Sequence, residues 1–380
     1  PRPATAGSRI SALDGLRGVT IVLVVLGHTS SFLWPVEGIR STPYVRGLVG
    51  GGAVTVFFII SGLIVTSGLL RERAAGTMDP VRFLARRLVR VGAQILPLCV
   101  AVLVVSLVDP TDQNSLEKTT RTITNTLTYT NNLLYQVNPL GAREDMGHLW
   151  FLSIQQQWYL VVPLLVLLLA GRRRLFAALV AVMATASVIH RLVTVSDTTW
   201  FVVAVDTFAR ADALLLGVLL AIVLPSLRRW GPRAPLIGSL ASVGLVGLLL
   251  VSREGDPLAF LQGWGVAFTL TALVLVACIV LHDGPSRLTQ VLTRPALTWL
   301  GRASLAIYVW HYPLIFWIGR HTPTWSWEAQ TTVFLAMLAA VAVAADRWVE
   351  RPVRTWLTTH LRAPSEGAPL PPAGVLEVRA

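Results

Sequence analysis

The sequence has few charged residues and almost no cysteine. Only 14% of its 380 residues are Asp, Glu, Lys or Arg, against roughly 25% in a typical soluble domain. Its two cysteines, Cys99 and Cys278, both lie inside apolar runs, so no disulfide framework is indicated. Low charge combined with 54% hydrophobic residues excludes an ordinary soluble globular protein and indicates an integral membrane protein.

Long uncharged runs recur along the chain. Several reach about 18 residues, which is enough for a helix to cross the hydrocarbon layer. The runs are continuous and do not alternate, which argues against a membrane β-barrel. We predict an all-α membrane protein, a polytopic bundle of about ten transmembrane helices. They are expected near 14–34, 49–70, 89–108, 149–170, 175–194, 207–227, 235–252, 258–282, 302–320 and 328–348.

The basic residues are distributed unevenly between the two sets of connections. The N-terminus, the tail and alternate loops contain 23 of the 32 Lys and Arg residues, and the other loops contain seven. Because cytoplasmic loops are enriched in Lys and Arg, we predict that both termini are cytoplasmic. The expected partner of the apolar surface is the lipid bilayer. Nucleic acid is not expected, because the basic residues form no stripe.

One membrane domain is predicted over residues 1–362, and we find no internal repeat in it. The segment 363–380 is rich in Pro, Gly and Ala, a composition typical of a disordered tail. We predict that this tail is cytoplasmic.

The stretch "LDGLRGVTIVLVVLGH" (13–28) places Asp14, Arg17 and His28 in an otherwise apolar run. On a helix, Arg17 and His28 fall within roughly 20° of each other, with Asp14 about 60° from Arg17. Ionisable groups inside a membrane are costly and usually mark functional sites. The alternative for His28 is a buried histidine that bonds another helix.

Other polar residues recur in short signatures within apolar runs. In "HLWFLSIQQQWYL", the spacing places His148, Gln155 and Tyr159 within about 20° of one helix face. "RADALLLG" places Arg210 and Asp212 at the start of a span, and "LGRASLAIYVWHYPL" places His311 near the expected depth of His28. The alternative role for each of these residues is interhelical hydrogen bonding, which is common in membrane bundles. Together these residues predict a helix bundle with a polar interior.

The run "RERAAGTMDPVRFLARRLVRV" contains six arginines. A basic amphipathic segment ordinarily lies on anionic lipid headgroups. The alternative is a binding site for a phosphorylated ligand, because arginine binds phosphate in a bidentate manner.

The order of seven motifs resembles that of the acyltransferase-3 family of multi-pass membrane O-acyltransferases. They are "LDGLRGVTIVLVVLGH", "FFIISGLIV", "RFLARRLVR", "HLWFLSIQQQWYL", "RADALLLG", "LGRASLAIYVWHYPL" and "DRWVERPVR", and the resemblance runs over residues 10–356. It implies transfer of an acyl group from acyl-coenzyme A (acyl-CoA) to a hydroxyl of a glycan, a glycolipid or a glycosylated metabolite. Some members carry a fused soluble hydrolase-like domain, which we do not expect here.

The resemblance assigns roles to particular residues. The family's motif histidine falls on His28, and its basic motif falls on Arg86, Arg87 and Arg90. We predict catalytic roles for His28, Asp14, Gln155 and Tyr159, phosphate binding by Arg17, Arg86, Arg87 and Arg90, and acceptor binding by His148, Arg210, Asp212 and His311. Acyl-CoA is expected as a co-substrate, with no tightly bound cofactor and no metal.

The chain departs from the family pattern at Gln155, because members usually carry Glu there. Glutamine preserves shape and hydrogen bonding but cannot carry negative charge. Three interpretations of the whole chain remain open: an O-acyltransferase, a secondary transporter, and an inactive relative that binds acyl donor or glycolipid. The enzyme would be a bacterial protein of the plasma (inner) membrane, and His28 would act as the general base in direct transfer. A covalent acyl-histidine or acyl-tyrosine relay is an alternative route.

Overall fold

A computed structural model of the protein describes residues 6–35, 52–251, 257–282 and 284–361. These ranges are helical and contain no strand, which confirms the predicted all-α class. The predicted tail at 363–380 lies outside them. The α-helices are α1 (Ala6–Phe32), α2 (Gly52–Ala74), α3 (Pro80–Val108), α4 (Leu116–Leu127), α5 (Asn131–Val137), α6 (Trp150–Leu169), α7 (Arg173–Asp197), α8 (Trp200–Ala204), α9 (Asp212–Leu227), α10 (Ala234–Val251), α11 (Pro257–Leu261), α12 (Gly263–Leu281), α13 (Arg287–Leu292), α14 (Pro295–His321), α15 (Trp327–Ala345) and α16 (Arg351–His360).

Eight helical stretches within the described ranges are long and apolar enough to cross a membrane. One of them, Asp212–Leu250, includes both α9 and α10, which were predicted as separate helices. The predicted helix at 302–320 lies within α14 and is not among these eight stretches. The Tyr, His and Trp residues of α14 make it less apolar than they are. The multi-pass membrane architecture is therefore confirmed, and the number of ten crossings stays a prediction.

The first and fourteenth helices form the centre of the bundle and run parallel. Contacts between them advance in the same direction along both: Arg17 with Ser304, His28 with His311, and Phe32 with Phe316. The predicted topology requires these two helices to be parallel, because both should begin at the cytoplasmic side of the membrane. We call the end where α1 begins the inner end of the bundle, and the opposite end the outer end.

Glycines let the backbones of α1 and α14 touch. A Cβ atom at Gly301 would lie 1.7 Å from the carbonyl oxygen of Asp14, and one at Gly18 would lie 2.2 Å from that of Leu297. No larger residue fits at either position without separating the helices. Close approach at small residues is a usual basis of helix association in membranes, and here it fixes the distance between the polar faces of the two helices.

The connection between α3 and α6 is folded and is not an open loop. It contains α4, α5 and a short 3-10 helix, Glu144–Leu149. Arg143, which is fully buried, donates to Thr119 of α4 and to Asp145 of the 3-10 helix. This segment covers the outer end of the bundle.

The topology can be tested by labelling single cysteines from one side of the membrane. We expect opposite accessibility for cysteines at Ser115, the N-cap of α4, and at Thr359, an exposed residue of α16. The expectation rests on the excess of Lys and Arg in the loops assigned to the cytoplasm. Labelling of both sites from the same side would contradict it.

Candidate functional site

Three histidines from separate parts of the chain meet inside the bundle. Nδ1 of His28 lies 2.8 Å from Nε2 of His311, and the ring centroids of His148 and His311 are 5.1 Å apart. The prediction that His28 and His311 lie at similar depth is confirmed. Within the described ranges, no three His, Cys, Asp or Glu residues are placed to hold a metal ion.

Hydrogen bonding defines which nitrogen of each imidazole carries a proton. Nδ1 of His311 lies 2.6 Å from the carbonyl oxygen of Tyr308, which can only accept, so Nδ1 is the protonated nitrogen. In neutral His311, Nε2 is then an acceptor, and Nδ1 of His28 must donate to it. This leaves the Nε2 lone pair of His28 available, as a general base requires.

His148 is held in place by a carbonyl that a proline leaves without a helical partner. Pro313 lacks an N–H, so the carbonyl of Val309, four residues earlier in α14, has no helical donor. Nε2 of His148 donates to this carbonyl at 3.2 Å, and the Tyr308 hydroxyl donates to the backbone carbonyl of His148. Nδ1 of His148 is buried and has no hydrogen-bond partner among the described residues.

The prediction that His148 shares one α-helical face with Gln155 and Tyr159 is wrong. Helix α6 begins at Trp150, and His148 lies in the 3-10 helix that precedes it. A 3-10 helix turns about 120° per residue where an α-helix turns about 100°, so the predicted angle does not extend to His148. Gln155 and Tyr159 do share a face, because both contact Ser61 of α2.

A small cavity of about 70 Å³ lies on the inner side of the histidines. Its lining residues are Arg17, Phe57, Phe151, Leu152, Gln155, Ser304, Leu305 and Tyr308. Arg17 donates to Ser304 Oγ at 2.8 Å and pairs with Asp14 at 3.5 Å. The structure therefore brings three predicted site residues together, since Arg17 and Gln155 line the cavity and Asp14 pairs with Arg17.

The predicted phosphate-binding arginines of α3 lie at the inner end of the bundle. Arg86 pairs with Glu72 at 2.7 Å, and Arg90 pairs with Glu350 at 3.1 Å. The guanidinium of Arg87 lies over the Tyr159 ring, 5.2 Å from its centroid. Arg86 and Arg90 thus connect helices, and Arg87 adjoins Tyr159, whose hydroxyl contacts Ser61. Phosphate binding by these residues stays a prediction.

Arg210 and Asp212 lie away from the histidines in the contacts that the structure gives. Asp212 forms a buried ion pair with Arg191 at 2.7 Å. The Arg210 guanidinium lies over the rings of Trp150 and Phe260, at 5.7 and 5.4 Å from their centroids. Through these contacts the two residues pack helices against one another. Acceptor binding by Arg210 and Asp212 stays a prediction.

A charged network closes the outer end of the bundle. Arg143 pairs with Asp112 at 2.8 Å and with Asp145 at 2.7 Å, and Arg320 of α14 pairs with Asp109. Trp317 of α14 donates from Nε1 to Asp145. The network therefore ties the segment that carries His148 to α14.

Two carboxylates of this network, those of Asp109 and Asp112, remain charged at neutral pH. Burial acts to raise the pKa of Asp109, but hydrogen bonds from Thr111 and the charge of Arg320 outweigh it and lower the pKa to about 2. Burial also acts to raise the pKa of Asp112, and hydrogen bonds from Asn114 and Arg143 outweigh it and lower that pKa. Both acids are thus anionic wherever histidine titrates.

Several residues of the site were not singled out from the sequence. Ser304, Tyr308 and Tyr312 all lie within the quoted stretch that contains His311, and Ser61 lies within "FFIISGLIV". Tyr308 precedes His311 by three residues, a spacing that makes the two side chains neighbours on a helix. Tyr312 follows His311 directly, and its contact with that ring is seen only in the structure. Attention to polar groups near the motif histidine could have found them.

Comparison with known proteins identifies the family. The family model described as an acyltransferase domain matches residues 10–346. The chain belongs to the acyltransferase-3 family. This confirms the resemblance that the motif order indicated.

The relatives are bacterial O-acetyltransferases by name. O-acetyltransferase OatA of Staphylococcus aureus (strain NCTC 8325 / PS 47) is 25% identical over 375 residues, covering 91% of this chain and 57% of that protein. Putative peptidoglycan O-acetyltransferase YrhL of Bacillus subtilis (strain 168) is 29% identical, covering 91% of this chain and 55% of that protein. The chain thus spans a little over half the length of these relatives. No solved structure matches it.

Proposed function

We propose that this protein is a membrane O-acyltransferase that moves an acetyl group from acetyl-CoA to a hydroxyl of a cell-wall glycan. The observation that carries the proposal is the His28–His311 pair, which leaves Nε2 of His28 as an acceptor inside the bundle, with a cavity that contains Arg17 towards the inner end. The names of the relatives, which include a putative peptidoglycan O-acetyltransferase, support acetyl as the group and peptidoglycan as the acceptor.

The histidine pair suits transfer of an acyl group to a hydroxyl. Nε2 of His28 takes the proton of the acceptor hydroxyl while its oxygen attacks the carbonyl carbon of the thioester. The C–O bond forms, the C–S bond breaks, and the imidazolium returns its proton to the departing thiolate, which gives an ester and free coenzyme A. His311 supports the cationic form of His28, because its Nε2 accepts from Nδ1 of His28.

The inner cavity suits the reactive end of the donor. Its volume of about 70 Å³ has room for a small acyl group but not for a long chain. Arg17 lies in its wall, where a guanidinium can polarise the thioester carbonyl or bind a phosphate oxygen. Arg87, over Tyr159 at the inner end, is placed to bind more distant phosphates of coenzyme A. An acyl-enzyme relay would use the same cavity.

Mass spectrometry of envelope glycans tests the proposal in cells. Cells with the protein should contain glycans heavier by the mass of one acetyl group, and cells that lack it should not. A His28→Ala strain with equal protein in the membrane serves as the control and should resemble the deletion. Identical glycan profiles in all three strains would contradict the proposal and favour a transporter or an inactive binding protein.

Replacement of Gln155 by Glu tests whether this position tunes the catalytic histidine. Gln155 donates from Nε2 to Ser61 Oγ at 3.1 Å, and none of its contacts in the described structure reaches a histidine. We therefore expect Gln155→Glu to leave kcat within about threefold and the acid limb of the pH profile in place, since a nearby carboxylate is needed to stabilise imidazolium.

The measurement is acetyl transfer between about pH 5 and pH 8, where histidine ordinarily titrates. Gln156→Glu on the same helix is a control for the cost of adding a carboxylate to α6. A large gain in kcat for Gln155→Glu, with a shifted acid limb, would show that the carboxylate found in the family acts on the histidines.

A further inference from the structure

A second and larger cavity lies on the outer side of the histidines. Its volume is about 340 Å³, and it opens between the residues that follow α3, the 3-10 helix Glu144–Leu149 and the outer end of α14. The lining residues are Thr111, Gln113, Asn114, Glu144, Asp145, Phe316 and Arg320. Of these, none was singled out from the sequence.

Aromatic contacts connect this outer cavity to the catalytic histidine. The Phe316 ring lies 5.1 Å from that of Tyr312, and Tyr312 lies 4.8 Å from His28 and 4.9 Å from His148. On the opposite side, Tyr308 contacts His148 and lines the inner cavity. The histidine cluster is therefore flanked by two cavities, one towards each end of the bundle.

The wall of the outer cavity combines groups that suit a sugar ring. Phe316 offers an aromatic ring against which the C–H face of a sugar can pack. The amides of Gln113 and Asn114 can both donate and accept hydrogen bonds, as sugar hydroxyls and N-acetyl groups require. The Thr111 hydroxyl donates its proton to Asp109 and can still accept a hydrogen bond. The cavity is also large enough for a ring-sized ligand, because small-molecule sites begin at roughly 300 Å³.

The charges around the outer cavity disfavour an anionic ligand. Arg320, the one cation in its lining, pairs with Asp109 and Asp112. Including ion-pair partners, the charged groups are four carboxylates, Asp109, Asp112, Glu144 and Asp145, and three cations, Lys118, Arg143 and Arg320. The imidazole of His321 lies 3.2 Å from Asp109 and adds a positive charge only when it is protonated. The excess of negative charge favours an uncharged sugar over one that carries a carboxylate or phosphate.

We propose that the outer cavity is the acceptor site and that it binds an uncharged sugar ring whose hydroxyl reaches His28 past Tyr312. The donor and the acceptor then approach the histidines from opposite ends of the bundle. This inference rests on the proposed function for its link to catalysis, but the binding of sugar to the cavity can be measured without any turnover.

The binding experiment uses the purified protein with tri-N-acetylchitotriose as an uncharged probe and a hyaluronan tetrasaccharide as an anionic one, both without donor. We expect the wild type to bind the uncharged probe more tightly. Phe316→Ala should weaken that binding by about three- to tenfold, the usual worth of an aromatic contact. Failure of the wild type to bind the probe, or equal binding by Phe316→Ala, would overturn the proposal.

A matched pair of acid-to-amide changes tests the charge argument. Glu144 lines the cavity and pairs with Lys118, whereas Glu117 pairs with Arg121 on exposed α4 and does not line it. Glu144→Gln should lower the ratio of the affinities for the uncharged and the anionic probe by several-fold. Glu117→Gln should leave this ratio unchanged. Equal effects of the two changes would overturn the assignment of charge selectivity to this cavity.

Transfer assays with acetyl-CoA separate this proposal from the proposed function. Phe316→Ala should raise KM for tri-N-acetylchitotriose and leave KM for acetyl-CoA unchanged. Probe binding that depends on Phe316 without any acetyl transfer by the wild type would contradict the proposed function and support the sugar site. Acetyl transfer by Phe316→Ala with an unchanged KM for the acceptor would support the proposed function and overturn the assignment of the outer cavity as the sugar site.

Discussion

Replacing His28 by Ala should lower kcat for acetyl transfer by about 10²- to 10⁴-fold, the usual contribution of a general base. The donor KM and the amount of protein in the membrane should stay nearly unchanged, because the lost group acts on the chemical step. The physical reason is the hydrogen bond at 2.8 Å to His311, which directs the protonated Nδ1 of His28 away from the substrate and leaves Nε2 as the acceptor.

An exposed histidine provides the control for this change. His360→Ala removes an imidazole that stacks on Trp356 at the end of the described chain, far from α1 in sequence, and it should leave kcat unaltered. Activity of His28→Ala within about tenfold of wild type, well inside the range expected of a base, would make His28 a packing residue.

Replacing Arg143 by Ala should cost about 3–5 kcal/mol of stability, as is usual when one partner of a buried ion pair is removed. Arg143 is fully buried and is paired with both Asp112 and Asp145, so its loss leaves Asp145 without its cation and leaves Asp112 with only the longer contact of 3.4 Å to Arg320. Thermal unfolding of the detergent-solubilised protein measures the effect. A melting temperature equal to that of wild type would contradict the structure of the outer network.

Arg121→Ala is the matched control for Arg143→Ala. Arg121 forms an ion pair with Glu117 on the surface of α4, where both side chains are exposed. Exposed ion pairs contribute about 0–1 kcal/mol, so this variant should unfold close to the wild-type temperature. A lower unfolding temperature for Arg143→Ala than for Arg121→Ala would show that the loss of stability comes from the burial of the Arg143 ion pairs.

Asp109 and Asp112 should not contribute to pH dependence near neutrality. The pKa of Asp109 is lowered to about 2 and that of Asp112 is lowered as well, from an unfolded value near 3.9. A depressed folded pKa gives stability that is fully present above the unfolded value and is lost as pH falls through the folded one. A change in activity between about pH 5 and pH 8 therefore belongs to other groups, among which histidine titrates in that range.

Helical periodicity predicted the centre of the site because its residues lie on long regular helices. Arg17 and His28 share a face of α1, and both contact α14 as a common face requires. The depth of His311 followed from its distance along the same span. His148 was identified as a site residue, but its position depends on a short 3-10 helix and on the carbonyl of Val309.

Contacts between distant segments could not be predicted from spacing. Arg86 and Arg90 resemble a phosphate-binding run, yet their partners Glu72 and Glu350 become neighbours only when α2 and the segment after α15 pack against α3. Arg191 was not singled out, and it pairs with Asp212. An arginine in a span indicates that a partner exists, but only the packing of the bundle identifies which one.

The measurement that tests the central claim most directly is a balance of products with the purified protein, acetyl-CoA and tri-N-acetylchitotriose. The account predicts that one acetyl ester of the sugar forms for each free thiol of coenzyme A, and that both products disappear together in His28→Ala. Release of thiol without formation of a sugar ester, or undiminished ester formation by His28→Ala, would contradict it.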